Sequence, residues 1–294
     1  MAKAIFTTKM SPSYDDRPEE HYHFPRTYLN VVQATIGDHI IYYEPRRVST
    51  EESSRGGKQA YFATARVENV IEDRSRQDHF YALMSNYLDF DRPVPFAEGG
   101  EYYEASLRKG DGSTNKGAFG RAVRTLTDAE FDRILKSGFA VELATRDDET
   151  PHGFEEPTDS FERPIVELTV SRPFRDQAFK RSVRNAYDCR CALTGLRLIN
   201  GGGRPEVQAA HIMPVSSKGP DSIRNGLALS GTVHWMFDRG LITVDENYQV
   251  IAPESRLPEQ LRRLFNQGSK LILPRDRSLW PSPALSKISQ ELHL

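Results

Sequence analysis

The chain has 294 residues, of which 38% are hydrophobic and 27% charged, values typical of a soluble globular protein with room for two domains. There is no apolar run of about 18 residues or more, which excludes a transmembrane helix, and the N-terminal Met-Ala-Lys-Ala-Ile-Phe is not followed by the apolar stretch of a secretory signal. The two cysteines, Cys189 and Cys191, are too few for a disulfide framework and too close for comfortable pairing, so a reducing cytoplasm is the expected compartment.

Charge is distributed unevenly along the chain. Residues 1–164 carry 21 basic and 29 acidic residues, a net charge of −8, whereas residues 165–294 carry 18 and 12, a net charge of +6. Much of the positive excess lies in residues 172–205, which hold eight Arg or Lys against Asp176 and Asp188. A basic half suggests contact with a polyanion such as nucleic acid, although the solvated faces of Arg-rich helices would give the same counts.

The first half is rich in short segments of aromatic and β-branched residues, separated by Gly and Pro. Residues 22–32, 40–43 and 61–71 are predicted strands, with a turn at Gly37-Asp38. Residues 80–90 are predicted to form a short helix followed by an edge strand, which Pro93 and Pro95 interrupt. Many short strands of this kind favour a small β-barrel or sandwich.

A glycine-rich basic loop follows at residues 108–124, with four Gly, one Asp and five basic residues. Backbone amides exposed by glycine, with Arg and Lys around them, suit phosphate contacts. The predicted DNA-backbone contacts of this loop are Arg108, Lys109, Lys116, Arg121 and Arg124. A surface loop with no ligand is the alternative.

The boundary between two domains is predicted from composition. Thr127-Asp-Ala-Glu130 has the capping-box pattern and opens a helix that Gly138 stops. Residues 141–164 then hold eight acidic residues and three prolines, as an acidic linker would. The predicted domains are therefore residues 1–140 and 165–294.

The second domain is predicted to be mixed. A helix runs from Pro173 to about Tyr187, and its basic side chains Lys180, Arg181 and Arg184 are further predicted DNA-backbone contacts. Short strands are predicted at residues 207–212 and 227–229, and a helix from Gly231 to Gly240. A hairpin over residues 241–251 and a helix over residues 258–265 follow.

Four polar residues of this second domain form the candidate site. His234 and Asp238 are four apart on the predicted helix, so they share a face and could hold one divalent cation, Mg²⁺ or Mn²⁺. His211 ends the first strand and could take a proton from water, and Asn225 could orient His211 or its loop. Each residue alone has an ordinary structural explanation. Their order together favours phosphodiester hydrolysis, with His211, Asn225 and His234 as catalytic residues.

The motifs Cys191-Ala-Leu-Thr-Gly195, Ala209-Ala-His-Ile212, Asn225-Gly-Leu227 and His234-Trp-Met-Phe-Asp-Arg-Gly240 resemble the HNH (ββα-metal) endonuclease family. The resemblance covers roughly residues 170–290. It implies that His211 is the general base, Asn225 the middle Asn, and His234 with Asp238 the metal-site positions.

One position departs from that family. Many HNH nucleases carry Asp, Glu or His directly before the base, where this chain has Ala210. Metal ligation would then rest on His234, Asp238 and Asn225 as a third candidate. A structural zinc is not expected, because zinc usually takes four ligands from two separated pairs and there is one Cys pair; a buried Cys191 is expected instead.

The first domain resembles another family through Tyr22-His-Phe-Pro25, Gly37-Asp-His-Ile-Ile-Tyr-Tyr43, Tyr61-Phe-Ala63 and Ala122-Val-Arg124. These segments are similar to PUA-superfamily domains of the EVE and ASCH group, small β-barrels with helices of which several grip a modified nucleobase. The resemblance implies a base pocket, for which a flipped base needs stacking faces and polar edge partners. The predicted pocket residues are Tyr22, Phe24, Asp38, Tyr42 and Tyr43; the alternative is that these aromatics are barrel core.

Together these features predict an α+β protein with an N-terminal PUA-like β-barrel with helices and a C-terminal ββα-metal HNH domain. The expected function is that of a modification-dependent DNA endonuclease, like type IV or type IIM restriction enzymes, which recognises modified cytosine in double-stranded DNA. A homodimer is expected by analogy, and no membrane partner. Two alternatives stay open: an HNH nuclease that reads unmodified DNA or RNA, and a non-catalytic DNA-binding protein with a degenerate HNH domain.

Overall fold

The computed structural model describes residues 2–8, 15–45, 59–140, 143, 171–253, 257–266 and 268–283. The chain is a mixture of helices and strands that divides into two compact units, Met1–Arg175 and Asp176–Leu294. The predicted acidic linker, residues 141–164, lies outside the described residues apart from Leu143. None of the helices in the described ranges has the length and apolar character needed to traverse a bilayer.

The first unit is built on a six-stranded mixed sheet that curls into a half-barrel. The six strands of this sheet in chain order are β1 (Lys3–Thr7), β2 (His21–Pro25), β3 (His39–Glu44), β4 (Ala60–Glu72), β5 (His79–Pro95) and β8 (Val123–Leu126). Between β5 and β8, the strands β6 (Ala97–Glu98) and β7 (Glu101–Tyr102) form a separate short hairpin. The sheet order is β2-β5-β4-β3-β1-β8, with β1 parallel to β3 and antiparallel to β8. The described helices of this unit are α1 (Leu29–Gln33), α2 (Lys116–Phe119) and α3 (Asp128–Gly138).

Two elements of the first unit differ from the sequence prediction. Residues 29–33 are helical although their Val-Val pair was predicted as strand, and β5 is one strand of 17 residues where a helix and an edge strand were predicted. β5 is extended because β2 and β4 pair with it from two sides, and such pairing outweighs local propensity. Pro93 and Pro95 are tolerated because this end of β5 lies beyond the register of β2.

The capping box at α3 is confirmed. Thr127 Oγ1 accepts a hydrogen bond from the Glu130 amide, and Glu130 Oε2 accepts one from the Thr127 amide at 2.8 Å. Gly138 is the last residue of the helix, and its role there is packing. A Cβ at this position would lie 2.5 Å from the Phe90 ring.

The second unit contains most of α4 (Arg172–Ala186), then β9 (Gln208–His211), β10 (Gly226–Leu229), α5 (Gly231–Asp238), β11 (Thr243–Val244), β12 (Val250–Ile251) and α6 (Glu259–Arg262). β9 and β10 are antiparallel, with His211 opposite Gly226. The predicted strands, hairpin and helices of this half are therefore confirmed, with bounds that differ by a few residues.

One apolar core holds these elements together and sets the position of the candidate site. Phe179 and Val183 of α4, Ala210 of β9 and Met236 of α5 are all buried in it, as is Cys191, which confirms the expectation for that cysteine. α4 approaches β10 so closely that a Cβ on Gly226 would lie 2.3 Å from Val183 Cγ2. Glycine at position 226 is therefore required by the packing of α4 on β10.

Candidate active site

His211 ends β9 and is held on two sides. Its ring stacks on Phe179 at a centroid distance of 3.8 Å and an interplanar angle of 10°. Its Nε2 lies 3.1 Å from Oδ1 of Asp221, a carboxylate that is only 4% exposed, whereas the His211 side chain is 20% exposed. The preceding Ala210 faces the core because side chains alternate along a strand, and it is fully buried.

The Asp221 contact determines which nitrogen of His211 can act as a base. A buried carboxylate is an acceptor, so Nε2 carries the proton of this hydrogen bond. The lone pair of the neutral ring is then on Nδ1. His211 is thus oriented, partly exposed and able to accept a proton, which are the properties of a general base.

Asn225 is buried and folds the loop between the two strands. Its Oδ1 accepts a hydrogen bond from the Met213 amide at 2.8 Å, and its Nδ2 donates to the carbonyls of Met213 at 3.0 Å and Pro220 at 2.9 Å. Gly219 is required in the same loop, because a Cβ there would lie 1.9 Å from the Met213 carbonyl oxygen. Both ends of the amide bind the loop that carries Asp221, and the side chain is fully buried. This corrects the prediction that Asn225 could be a metal ligand, and it gives the residue an indirect part in any catalysis.

His234 and Asp238 lie one turn apart on α5, as predicted. His234 Nε2 is 3.3 Å from Asp238 Oδ2, and His234 Nδ1 is 2.8 Å from Gln208 Oε1 on β9. With the amide oxygen facing it, Nδ1 carries a proton, which leaves the Nε2 lone pair opposite the carboxylate. A cation or a proton between these two acceptors would relieve their repulsion.

The donor set fits a divalent cation with an incomplete protein shell. An imidazole nitrogen and a carboxylate oxygen are ordinary ligands of Mn²⁺ and related ions, and waters or a phosphate would complete the coordination. Within the described ranges, no group of three or more His, Cys, Asp or Glu side chains could hold a metal ion. By the family resemblance a third ligand would come from the residue before His211, which is Ala210 here and is buried in the core.

The His211–Asp221 pair and the His234–Asp238 pair lie beside opposite ends of strand β9. Gln208, which contacts His234, begins β9, and His211 ends it, so they are separated by about 10 Å of extended chain. Within the described ranges, no hydrogen bond or ion pair joins His211 to His234.

Comparison with known proteins bears on this arrangement. Residues 191–245 match the HNH endonuclease family model. The chain carries an HNH endonuclease domain. The match contains all four candidate residues and Asp221. No curated protein matches the sequence.

Two solved structures superpose loosely on the chain. A "Modification dependent TagI restriction endonuclease" has 12% identity and a TM-score of 0.32, over 98% of this chain and 80% of that one. The "Type IV phosphorothioation-dependent restriction endonuclease ScoMcrA" has 16% identity and a TM-score of 0.22, over 99% of this chain and 57% of that one. At these TM-scores, neither likeness bears on the activity of this chain.

Two residues of the HNH domain were missed by sequence reasoning. Asp221 lies in a loop, ten residues after His211, and Gln208 lies three residues before His211 on the same strand. Neither has a fixed spacing to its partner that a motif would display. The sequence offered one signal for a carboxylate near His211. Asp221 is an acidic residue in the Pro220-Asp221-Ser222 segment, inside the loop that Asn225 was expected to orient.

The predicted DNA-backbone residues have different degrees of access. Arg108, Lys109, Lys116 and Arg121 of the basic loop are exposed, as is Lys180 of α4, while Arg181 and Arg184 are half-buried. Arg108 and Lys109 line a cleft of about 650 Å³ in the first unit together with Tyr102 and Arg133.

Arg124 does not fit its predicted role. It is 4% exposed, and its guanidinium forms a bidentate pair with buried Glu104, with Nε–Oε2 at 2.7 Å and Nη2–Oε1 at 2.8 Å. Burial opposes its charge, but the hydrogen bond and charge of Glu104 outweigh burial and raise the Arg124 pKa. A phosphate could not compete without breaking this pair, so Arg124 is a structural residue of the first unit.

The five predicted base-pocket residues also lie in the interior. Tyr22, Phe24, Tyr42 and Tyr43 are at most 2% exposed, and Asp38 is 6% exposed and paired with Lys3. Tyr22 stacks on Phe6 at 4.7 Å, and burial raises the pKa of Tyr42 well above its usual value. The alternative explanation, barrel core, accounts for these aromatic rings: a base could not stack on them without displacing the core.

Proposed function

We propose that this protein is a metal-dependent DNA endonuclease that hydrolyses phosphodiester bonds with the HNH domain of its second unit. The observation that carries the proposal is the His211–Asp221 pair inside that domain. The imidazole is oriented on Phe179, hydrogen-bonded to a buried carboxylate and still accessible. These are the requirements for activating a water molecule at neutral pH.

The chain's own residues supply the proton transfer. His211 Nδ1 accepts a proton from water while Asp221 holds the ring and stabilises the imidazolium that forms. The resulting hydroxide forms a bond to phosphorus, the bond from phosphorus to the leaving oxygen breaks, and that oxygen takes a proton from solvent. Asn225 keeps the loop of Asp221 in place throughout.

His234 and Asp238 would hold the divalent cation, as HNH endonucleases generally require one. Mg²⁺ or Mn²⁺ is proposed. When bound, the cation would stabilise negative charge on the phosphoryl and leaving oxygens. Gln208 keeps the His234 ring in the tautomer that offers Nε2 as a ligand.

We further propose that cleavage depends on modified cytosine in double-stranded DNA and that the enzyme acts as a homodimer in the cytoplasm. The support is the resemblance of the first unit's segments at residues 22–25 and 37–43 to PUA-superfamily domains. The pocket would have to lie outside the five core residues first considered. The exposed basic loop supplies the positive surface that the acidic first unit otherwise lacks.

Digestion of matched duplexes tests both parts of the proposal. The substrates carry cytosine, 5-methylcytosine, 5-hydroxymethylcytosine or its glucosylated form, each with Mg²⁺ or Mn²⁺ and with EDTA as the metal-free control. Cleavage confined to a modified duplex with metal is expected. Equal cleavage of all duplexes would contradict modification dependence, and cleavage in EDTA would contradict metal dependence.

A non-catalytic DNA-binding protein is the second candidate, and Ala210 is the observation that favours it. Its buried methyl group removes a ligand position and leaves two protein ligands for a cation. Binding of modified DNA without nicking under any of the metals above would support this candidate over the endonuclease.

A further inference from the structure

A cleft in the second unit lies directly beside the metal-binding pair. It is lined by Arg184 of α4, by Leu198, Asn200, Arg204 and Glu206 of the loop before β9, and by Gln208, and has a volume of about 460 Å³. We call it the 184–208 cleft. Gln208 connects it to the HNH site, because the same side chain lines the cleft and contacts His234 at 2.8 Å.

Two guanidinium groups line the cleft, and neither forms an ion pair with a described residue. Nε of Arg184 is buried and makes no hydrogen bond within the part of the chain that the structure describes. The rest of the Arg184 side chain lines the cleft, so a phosphate there would place negative charge beside a guanidinium whose hydrogen bonds are incomplete. Arg204 is exposed, and its guanidinium has no ion pair to any described residue.

The wall that carries Arg204 is an ordered turn. Asn200 Oδ1 accepts hydrogen bonds from the amides of Gly202 at 3.0 Å and Arg204 at 2.9 Å, and Ile199 bridges to Pro205. The acidic residue of the cleft, Glu206, is engaged elsewhere, because its Oε1 accepts a hydrogen bond from the Gly231 amide at the start of α5. The backbone that carries Arg204 is therefore ordered, and the single negative charge of Glu206 leaves the cleft with a net positive charge.

The apolar residues of the cleft suit a sugar–phosphate chain rather than a small anion. Leu198 is 54% and Ile199 41% exposed, so two neighbouring aliphatic side chains face solvent beside a charged groove. Deoxyribose offers an apolar face to such side chains while its phosphates reach the arginines. Arginine is the side chain best suited to bind phosphate through two parallel hydrogen bonds.

We propose that the 184–208 cleft binds backbone phosphates of the DNA strand that continues from the bond being cut, with Arg184 and Arg204 as the phosphate ligands. This inference rests on the proposed nuclease function, since it names where that substrate lies next to the His234 pair. It adds Arg204 and the cleft to the earlier expectation for Arg184. The contacts would position the strand and would carry no sequence information.

The test uses the full-length protein with His211→Ala as background, so that DNA binding is measured without cleavage. Arg184→Gln with Arg204→Gln is compared with Arg190→Gln and Arg263→Gln, which remove the same charge from exposed positions of the same unit. The first pair should weaken duplex binding at least tenfold more than the control pair. It should also lower the slope of log Kd against log salt by roughly 2, because each phosphate contact contributes about 0.9.

Substitution of single phosphates by uncharged methylphosphonates identifies direct contacts. With the parent protein, neutralising one or two phosphates beside the cleavage position should weaken binding, and the cleft variant should be insensitive to the same substitutions. Equal sensitivity of both proteins, or an unchanged salt slope, would overturn the proposal.

Folding of the variants is checked by thermal unfolding. If the double variant is unstable, Arg204→Gln alone serves, because its guanidinium is exposed, and a slope reduced by about 1 is then expected. The outcomes also separate this inference from the proposed function. A lowered slope in a protein that never nicks DNA would support the cleft and contradict the nuclease, whereas nicking with an unchanged slope would do the reverse.

Discussion

Two histidine–aspartate pairs, one in each unit, have nearly the same geometry in different surroundings. His23 Nε2 lies 3.0 Å from Asp73 Oδ2, and His211 Nε2 lies 3.1 Å from Asp221 Oδ1. Both carboxylates are buried. The His23 side chain is 4% exposed and its ring stacks on Tyr81 at 4.5 Å, whereas the His211 side chain is 20% exposed with Phe179 on one face.

The difference shows that a carboxylate partner alone does not make a histidine a base for water. Burial lowers the pKa of His23, outweighing the opposing charge of Asp73, so this ring is neutral but enclosed. His211 has the same kind of partner and is accessible. We therefore expect the first pair to contribute to the stability of the barrel and the second pair to contribute to catalysis.

The largest expected effect separates the two histidines. His211→Ala should lower the single-turnover rate of DNA nicking by about 10³-fold, because a positioned general base contributes about 10²- to 10⁴-fold. Its thermal unfolding should stay close to that of the parent.

The matched variant is His23→Ala. It should lower the free energy of unfolding by about 2–4 kcal/mol, because it leaves a cavity and removes the imidazole from the Asp73 carboxylate, which keeps its hydrogen bonds from Ser75. The folded fraction should nick at the parent rate. Nicking by His211→Ala at the parent rate would remove the base assignment.

The second prediction compares the stability lost when a buried and an exposed arginine of the basic loop are replaced. Arg124→Gln should lower the free energy of unfolding by about 3–5 kcal/mol, because it leaves the Glu104 carboxylate buried without its positively charged partner, with the Tyr61 hydroxyl still bound to it. Arg121→Gln, at an exposed position, should change stability by at most about 0.5 kcal/mol. Urea titrations of both variants provide the measurement, and equal stabilities would contradict the structural role of Arg124.

The third effect concerns the partner of the base. Asp221→Asn should lower kcat by roughly 10- to 100-fold with little change in KM, because the hydrogen bond orients His211 but contacts no substrate. Asp73→Asn is the control and should leave kcat of the folded protein unchanged. A change confined to KM would mean that Asp221 acts in substrate binding instead.

The smallest effect is a pH dependence in the first unit. Burial raises the pKa of Asp16 to about 6 from 3.8, although hydrogen bonds from the His23 amide and Thr8 oppose it. The pKa of Asp16 is higher in the folded protein than in the unfolded chain. Protonated Asp16 therefore stabilises the fold below about pH 4, and this contribution to the free energy of unfolding is lost as the pH rises through 6.

Asp16→Asn removes this titration and provides the test. Relative to the variant, the parent should lose roughly 2 kcal/mol of unfolding free energy between pH 4 and pH 7, measured by urea unfolding. The nicking rate of the variant should keep the parent's pH profile. Parallel stability curves for the two proteins would show that Asp16 is not perturbed.

Much of the second unit was predictable because its signals are local. Apolar runs, turn residues and the four-residue spacing of His234 and Asp238 place strands and a helix that the structure confirms. The first unit was harder. β5 depends on pairing with strands far apart in sequence, and the residues of α1 have a β-branched pattern that the surrounding sheet overrides.

By itself, the sequence determined the candidate base, the candidate metal-binding pair and the order of elements around them, because each depends on residue type and short spacing. Tertiary structure alone decided which polar groups are accessible. It brought Asp221 to His211 across a folded loop, used up the amide of Asn225, and buried Arg124 together with the aromatic rings of the barrel. Burial and long-range hydrogen bonding arise from contacts between distant segments, and no local pattern encodes them.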